Sequence, residues 1–111
     1  MLFRSGDVEG QHCLIVDDLI DTAGTLVKAT EALLKQGARS VRACATHAVL
    51  SGPAVERIES SGLEEIIVTN SIPLQGEADN CKRIKQLSVA PLLAKAIQSV
   101  HEDGSVSTLF V

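Results

Sequence analysis

The chain has 111 residues, of which 45% are hydrophobic, and this suits one domain with a core of its own. Its 10 basic and 14 acidic residues give a formal charge of -4, and it contains two Phe and no Trp or Tyr. This composition argues against a nucleic-acid-binding protein, which needs clustered basic residues and often exposed rings for base stacking. We therefore expect a soluble protein with a small-molecule or protein partner.

The three cysteines are far apart in the sequence and include no C-x-x-C pair. They indicate neither a zinc site nor a disulfide framework, and they favour a reducing compartment, with the cytoplasm as the expected location. Cys13 and Cys44 lie in apolar runs and are expected to be buried. No apolar run has the length of a membrane span, and "MLFRS" lacks the apolar core of a signal peptide.

Apolar runs alternate with helical patterns along the chain. The run "HCLIV" (12–16) predicts a first strand, and the spacing of Leu26, Ala29 and Leu33 predicts a helix that Gly37 ends. Further strands are predicted at 40–46, 65–69 and 84–89. A short helix is expected within 51–62, with Ser51 as its cap, and a last helix over 90–102.

This strand–helix alternation predicts an α/β fold with a parallel sheet and right-handed crossovers. The strands look apolar on both faces, which is typical of parallel strands that helices cover on each side. Residues 70–83 form a polar loop in this interpretation. One domain is expected.

The segment "DDLIDTAGT" (17–25) holds three carboxylates beside a turn of small residues. Ligands of open α/β sheets bind beyond the carboxyl ends of the strands. We expect Gly24 to adopt a backbone conformation that other residues avoid, and Ala23 to keep the turn uncluttered. The amides of the first helical turn, with the hydroxyls of Thr22 and Thr25, then form a cradle for an anion such as phosphate.

The acids beside this cradle need ligands of their own, because carboxylates repel phosphate. Sugar hydroxyls donate hydrogen bonds to carboxylates, and Mg²⁺ takes oxygen ligands from both carboxylates and phosphates. Asp17 and Asp18 are neighbours on a strand and point to opposite sides, so two separate contacts are expected from them. A sugar phosphate is the ligand that best fits acids at one end and an anion cradle at the other.

The segment "LIVDDLIDTAGTL" closely resembles the ribose-phosphate binding fingerprint of type I phosphoribosyltransferases. With "ATHAVLSGPAVERI", "VTNSIPL", "LSVAPLLAKAI" and "SVSTLF", it resembles more narrowly the ribose-phosphate pyrophosphokinase family, from Gly6 to Phe110. The resemblance implies a three-layer, parallel-sheet phosphoribosyltransferase-type domain, here incomplete. It implies that residues 6–111 are the C-terminal domain of such an enzyme and that residues 1–5 are a leader foreign to the family.

The resemblance also implies roles for residues. Asp17 and Asp18 would hold the ribose hydroxyls, directly or through Mg²⁺, and Asp21, Thr22, Ala23, Gly24 and Thr25 would bind the 5-phosphate. The tail "GSVSTLF" would contribute to a regulatory phosphate or nucleotide site through Ser105, Val106, Ser107 and Phe110. No metal ligand is assigned within the chain itself.

The family transfers the diphosphoryl group of ATP to ribose 5-phosphate and assembles as oligomers. The resemblance places most ATP contacts, and the catalytic lysine and arginine, in sequence that this chain lacks. It therefore implies a half-site that is inactive alone. Two alternatives stay open within the fold: a non-catalytic adaptor of the synthetase, and a phosphoribosyltransferase that consumes phosphoribosyl diphosphate. A receiver domain is disfavoured, because no later strand ends in the aspartate that it requires.

Overall fold

The computed structural model describes residues 7–102. The strands are β1 (His12–Ile20), β2 (Ser40–Ala48), β3 (Glu65–Thr69) and β4 (Ile84–Leu87), and the helices are α1 (Gly24–Lys35), α2 (Ala54–Glu59) and α3 (Ala90–His101). A 3-10 helix, Gly76–Asn80, interrupts the expected polar loop. The proposed leader at 1–5 and the tail residues Ser105, Val106, Ser107 and Phe110 lie outside the described residues.

The four strands form one sheet in the order β1-β2-β3-β4, and every neighbouring pair is parallel. The predicted α/β fold with a parallel sheet is confirmed. Because each strand pairs with the next one in the chain, the connections α1 and α2 each span a single strand spacing. The carboxyl ends of all four strands therefore lie along the same edge of the sheet.

One face of the sheet forms the core. Ile15 of β1, Ala43 of β2 and Ile66 of β3 lie side by side in register on this face, and all are buried. The buried side chains of α1 and α2, such as Leu33 and Ile58, belong to the same cluster. These two helices therefore cover this face of the sheet.

The opposite face of the sheet is open within residues 7–102, so the expectation of strands buried on both faces is wrong for this part of the chain. Leu14, Val16 and Leu87 are 60%, 65% and 61% exposed. α3 has no buried residue, although its predicted apolar stripe is present in the sequence. The described residues thus supply one helix layer of the three-layer fold, in keeping with an incomplete domain.

Three local expectations need correction. β1 continues to Ile20, because its pairing with β2 runs on to Ala48, so the two aspartates lie within the strand and not after it. α2 begins at Ala54 and has no side-chain cap, so Ser51 does not cap it. Among the three cysteines, which are all free, Cys81 is the buried one, and Cys13 and Cys44 are only half-buried.

Other local expectations are confirmed. Gly37 follows the end of α1 with a φ of 93°, and its amide donates to the carbonyl of Leu34 at 3.0 Å. A left-handed glycine at this position ends a helix because it allows such a turn without a steric penalty. The termination of α1 is therefore encoded locally.

Candidate functional site

A hollow of about 250 Å³ lies where β1 leads into α1. The charged and polar part of its wall comes from Asp17, Asp21, Thr22 and Thr25, and the rest comes mainly from small or apolar residues of β1, α1 and β2. Six of the seven residues predicted to bind a sugar phosphate line this hollow: Asp17, Asp21, Thr22, Ala23, Gly24 and Thr25. The structure thus brings one acid of the strand and the whole threonine turn together.

Asp18 is the predicted site residue that does not line the hollow. It is exposed and lies on the strand beside the half-buried Asp17, so the two side chains take opposite faces, as expected from strand geometry. The amide of Asp18 donates to Oδ1 of Asp17 at 2.8 Å. This bond holds the Asp17 carboxylate in place, so Asp18 contributes to the hollow through its backbone.

The backbone of the turn differs from the expectation in one respect. The left-handed residue is Ala23, with a φ of 64°, and Gly24 is not among the residues of positive φ. A residue with a Cβ loses roughly 1–2 kcal/mol in this conformation. Such strain persists where surrounding contacts impose it, and it is common in ligand-binding turns.

α1 begins at Gly24 without a side-chain cap. The amides of a first helical turn have no partner within the helix, so those of Gly24, Thr25 and Leu26 are available at the hollow. The first turn carries no acidic residue. The start of α1 therefore keeps the donors and the positive end of the helix dipole that favour an anion.

Ser51 and Arg57, which both follow β2 in the chain, hold the turn in place. The sequence patterns did not indicate this role for either residue. The hydroxyl of Ser51 donates to Oδ1 of Asp21, and the amide of Ser51 donates to the carbonyl of Asp21 at 3.0 Å. Nη1 of Arg57, on α2, donates to the carbonyl of Thr22 at 3.1 Å. The sequence predicted Ser51 only as a helix cap, because a contact between residues 30 positions apart leaves no local sequence pattern.

Within residues 7–102, no group of three or more His, Cys, Asp or Glu side chains is placed to hold a metal ion. Asp17 and Asp21 nevertheless both line the hollow, and carboxylate oxygens are hard ligands. Mg²⁺ is usually bound through one or two carboxylates together with substrate oxygens. The residues of the hollow therefore fit a Mg²⁺ ion that arrives with a phosphorylated ligand.

Comparison with known proteins identifies the family. The family model for the phosphoribosyl synthetase-associated domain matches residues 2–111. A ribose-phosphate pyrophosphokinase of Clostridium acetobutylicum is 53% identical over 105 residues, and that of Bacillus subtilis is 57% identical over the same length. The chain belongs to the ribose-phosphate pyrophosphokinase family. This rules out the receiver-domain alternative.

As a member of this family, the chain spans about a third of the curated relatives that it matches: 95% of the chain aligns with 33% of each of these two proteins. A solved structure of phosphoribosylpyrophosphate synthetase from Mycobacterium smegmatis superimposes with a TM-score of 0.84 at 44% identity. It covers 90% of this chain, which in turn covers 33% of that protein. The open sheet and its single helix layer are thus one part of a larger known fold.

No helix between residues 7 and 102 is long and apolar enough to cross a membrane.

The described residues contain a single ion pair, between Arg42 and Glu64, which joins the start of β2 to the residue before β3. It therefore lies at the opposite edge of the sheet from the hollow. The charged residues that line the hollow are Asp17 and Asp21.

Proposed function

We propose that this chain supplies the ribose 5-phosphate half of the active site of a ribose-phosphate pyrophosphokinase. The observation that carries the proposal is that the Asp17 carboxylate and the uncapped start of α1 line one hollow. A carboxylate accepts hydrogen bonds from sugar hydroxyls, and unpaired amides bind phosphate. A ligand with hydroxyls at one end and phosphate at the other satisfies both.

In this proposal the 5-phosphate lies against the turn from Asp21 to Thr25, with the two threonine hydroxyls as additional donors. Asp17 accepts from a ribose hydroxyl, directly or through Mg²⁺. Asp18 takes a second, outer contact from the opposite face of β1 or acts only through its amide. Charge-assisted hydrogen bonds contribute roughly 1.5–3 kcal/mol each, against about 0.3–1 kcal/mol for the helix dipole, so donors dominate the phosphate affinity.

The reaction proposed for the whole protein is diphosphoryl transfer from ATP to the anomeric hydroxyl of ribose 5-phosphate. The anomeric hydroxyl loses its proton as its oxygen forms a bond to the β-phosphorus, the bond between that phosphorus and the α–β bridging oxygen breaks, and AMP leaves with that oxygen. An enzyme accelerates such a transfer mainly by positioning the reactants and stabilising phosphate charge. Mg²⁺, when bound, would neutralise charge on the phosphates.

The residues of this chain hold one reactant in this scheme. We propose that the remaining two thirds of the relatives' length bind most of ATP and that this chain alone does not turn over. A homo-oligomer in the cytoplasm is part of the same proposal. Its support is the family membership and, for the reducing compartment, the three free cysteines.

Calorimetric titration of the folded chain with ribose 5-phosphate and Mg²⁺ tests the proposal. Thr25→Ala removes a donor of the turn, and Asp17→Asn removes the acid of the hollow. We expect binding that both substitutions weaken, by about tenfold each if one charge-assisted hydrogen bond is lost. Ser99→Ala, on α3 and remote in sequence from the turn, is a control that should bind as the unmodified chain does.

Absence of binding by a chain whose circular dichroism shows it to be folded would contradict the half-site. So would binding that Thr25→Ala and Asp17→Asn leave unchanged, because the ligand would then lie elsewhere. Synthetase turnover by the purified chain would contradict the claim that it is inactive alone.

A further inference from the structure

Arg57 projects from α2 onto the turn that leads into α1. Its Nη1 donates to the carbonyl of Thr22 at 3.1 Å. A Cβ built on Gly24 would lie only 3.2 Å from the same Nη1. The guanidinium therefore lies against the turn both at the Thr22 carbonyl and beside Gly24.

The charge of Arg57 is not neutralised by a carboxylate within the described part of the chain, where the one ion pair joins Arg42 and Glu64. The turn itself has Asp17, Asp18 and Asp21 as neighbours in sequence, and each of them opposes the approach of an anion. The Arg57 guanidinium is a cation that lies in direct contact with this turn.

We infer that Arg57 is a positioning residue that holds the anion-binding turn in its binding conformation. A peptide unit is planar and trans, so the carbonyl of Thr22 and the amide of Ala23 point in opposite directions. Fixing that carbonyl on Arg57 turns the Ala23 amide away from Arg57. It also keeps the carbonyl oxygen from turning towards a bound anion, which it would repel.

This contact also supplies a reason for the left-handed backbone of Ala23. A conformation that disfavours residues with a Cβ persists only where neighbouring contacts impose it. Here the Thr22 carbonyl, on one side of Ala23, is held by Arg57, and the Ala23 carbonyl on the other side accepts the amide of Val27 at 3.0 Å. The strained residue is thus fixed at both ends.

Gly24 has its role in the same contact. Since its φ is not positive, the turn does not require glycine for its backbone angle. Glycine instead leaves room for Arg57, because a methyl group on residue 24 would lie 3.2 Å from Nη1 and the guanidinium would have to shift by a few tenths of an ångström. The structure thus assigns one function to a glycine of the turn and an arginine 33 residues later.

The inference deepens the proposed function, on which it rests only for the identity of the ligand. The test uses the full chain with Arg57→Gln, Arg57→Lys and the matched control Arg39→Gln. Arg39 precedes β2 at the opposite edge of the sheet, and its substitution removes the same charge. Two readouts are measured: backbone order parameters of residues 22–25 by NMR in the free chain, and the Kd for ribose 5-phosphate with Mg²⁺.

We expect Arg57→Gln to lower the order parameters of Ala23 and Gly24 from the rigid range, about 0.85, towards about 0.6. We also expect about tenfold weaker binding of ribose 5-phosphate, with Arg39→Gln unchanged in both readouts. Gly24→Ala should reproduce part of both effects and should add little to Arg57→Gln in the double variant, because both changes break one contact.

Unchanged order parameters in Arg57→Gln would overturn the inference. Equal weakening by Arg57→Gln and Arg39→Gln would overturn it as well, since total charge would then explain the effect. Full recovery of affinity in Arg57→Lys without recovery of the order parameters would show that only charge matters, which also contradicts a positioning role. If the unmodified chain binds no ribose 5-phosphate, the proposed function fails, and the order parameters still decide the role of Arg57.

Discussion

Substitution of Arg83 by methionine should destabilise the fold measurably, although this residue lies in a sequence cluster, Lys82, Arg83 and Lys85, that has the pattern of a solvated face. Nη1 of Arg83 donates to the carbonyls of Ile58, Ser61 and Leu63 at 3.1, 2.7 and 3.0 Å. Ile58 is the last buried residue of α2, and Ser61 and Leu63 lie between α2 and β3. Arg83 therefore ties the start of β4 to the end of α2.

The magnitude follows from how many of these bonds one amino group can make. Nη1 carries two protons, and the Ile58 carbonyl also accepts from the amide and the hydroxyl of Ser61, at 3.2 and 2.7 Å. The loss therefore falls mainly on the carbonyls of Ser61 and Leu63. At about 1 kcal/mol for each half-buried acceptor, we expect a loss of about 2 kcal/mol in the free energy of unfolding. For a domain of this size, that lowers Tm by about 8 °C.

Urea and thermal unfolding followed by circular dichroism measure this loss, with Lys82→Met as the matched control. Lys82 is exposed and adjacent in sequence, and its substitution removes the same charge, so its effect should stay within about 0.5 kcal/mol. Equal stabilities of Arg83→Met and Lys82→Met would refute the reasoning, because the three carbonyl contacts would then contribute nothing.

Three further outcomes are expected. Asp17→Asn should weaken ribose 5-phosphate binding in calorimetry more than Asp18→Asn does, because only Asp17 lines the hollow; the reverse order would place the sugar on the opposite face of β1. Ala23→Val should lower the free energy of unfolding by about 2 kcal/mol in urea titration, since a β-branched residue is poorly tolerated at a φ of 64°, and no change would mean that the turn relaxes. Val16→Lys with Leu87→Lys should shift the chain towards monomer in sizing chromatography, because large exposed apolar patches promote association, whereas an unchanged elution would locate association on another surface.

Much of the fold could be predicted from the sequence because its signals are local. Helical spacing from Leu26 to Leu33 and a stop at Gly37 specify α1, and short β-branched runs specify the strands. The parallel order follows from strand–helix alternation, which the sheet confirms. The proximity of Asp17 to the turn at residues 22–25 was also predictable, since both belong to the connection between β1 and α1.

The exposure of one sheet face could not be predicted from the strand patterns. Leu14 and Val16 are apolar, as residues covered by a second layer would be, and yet they are exposed among the described residues. The residue types of a strand are suited to its surroundings in the complete domain. This chain spans a third of the length of its relatives, so the apolar strand pattern and the observed exposure of its side chains disagree.

The details of the turn were unpredictable for a different reason. A threonine–alanine–glycine–threonine sequence suggests that glycine takes the left-handed position, because glycine does so without a steric penalty. The structure places Ala23 there and uses Gly24 for the approach of Arg57. At this turn the contact from Arg57 on α2 outweighs the local backbone propensity. In the sequence, Arg57 is only one cation on a short helix, and nothing near it indicates this contact. If Arg57 holds the turn, substitution of either Arg57 or Gly24 should disorder it. If the turn depends on its own glycine alone, only substitution of Gly24 should disorder it.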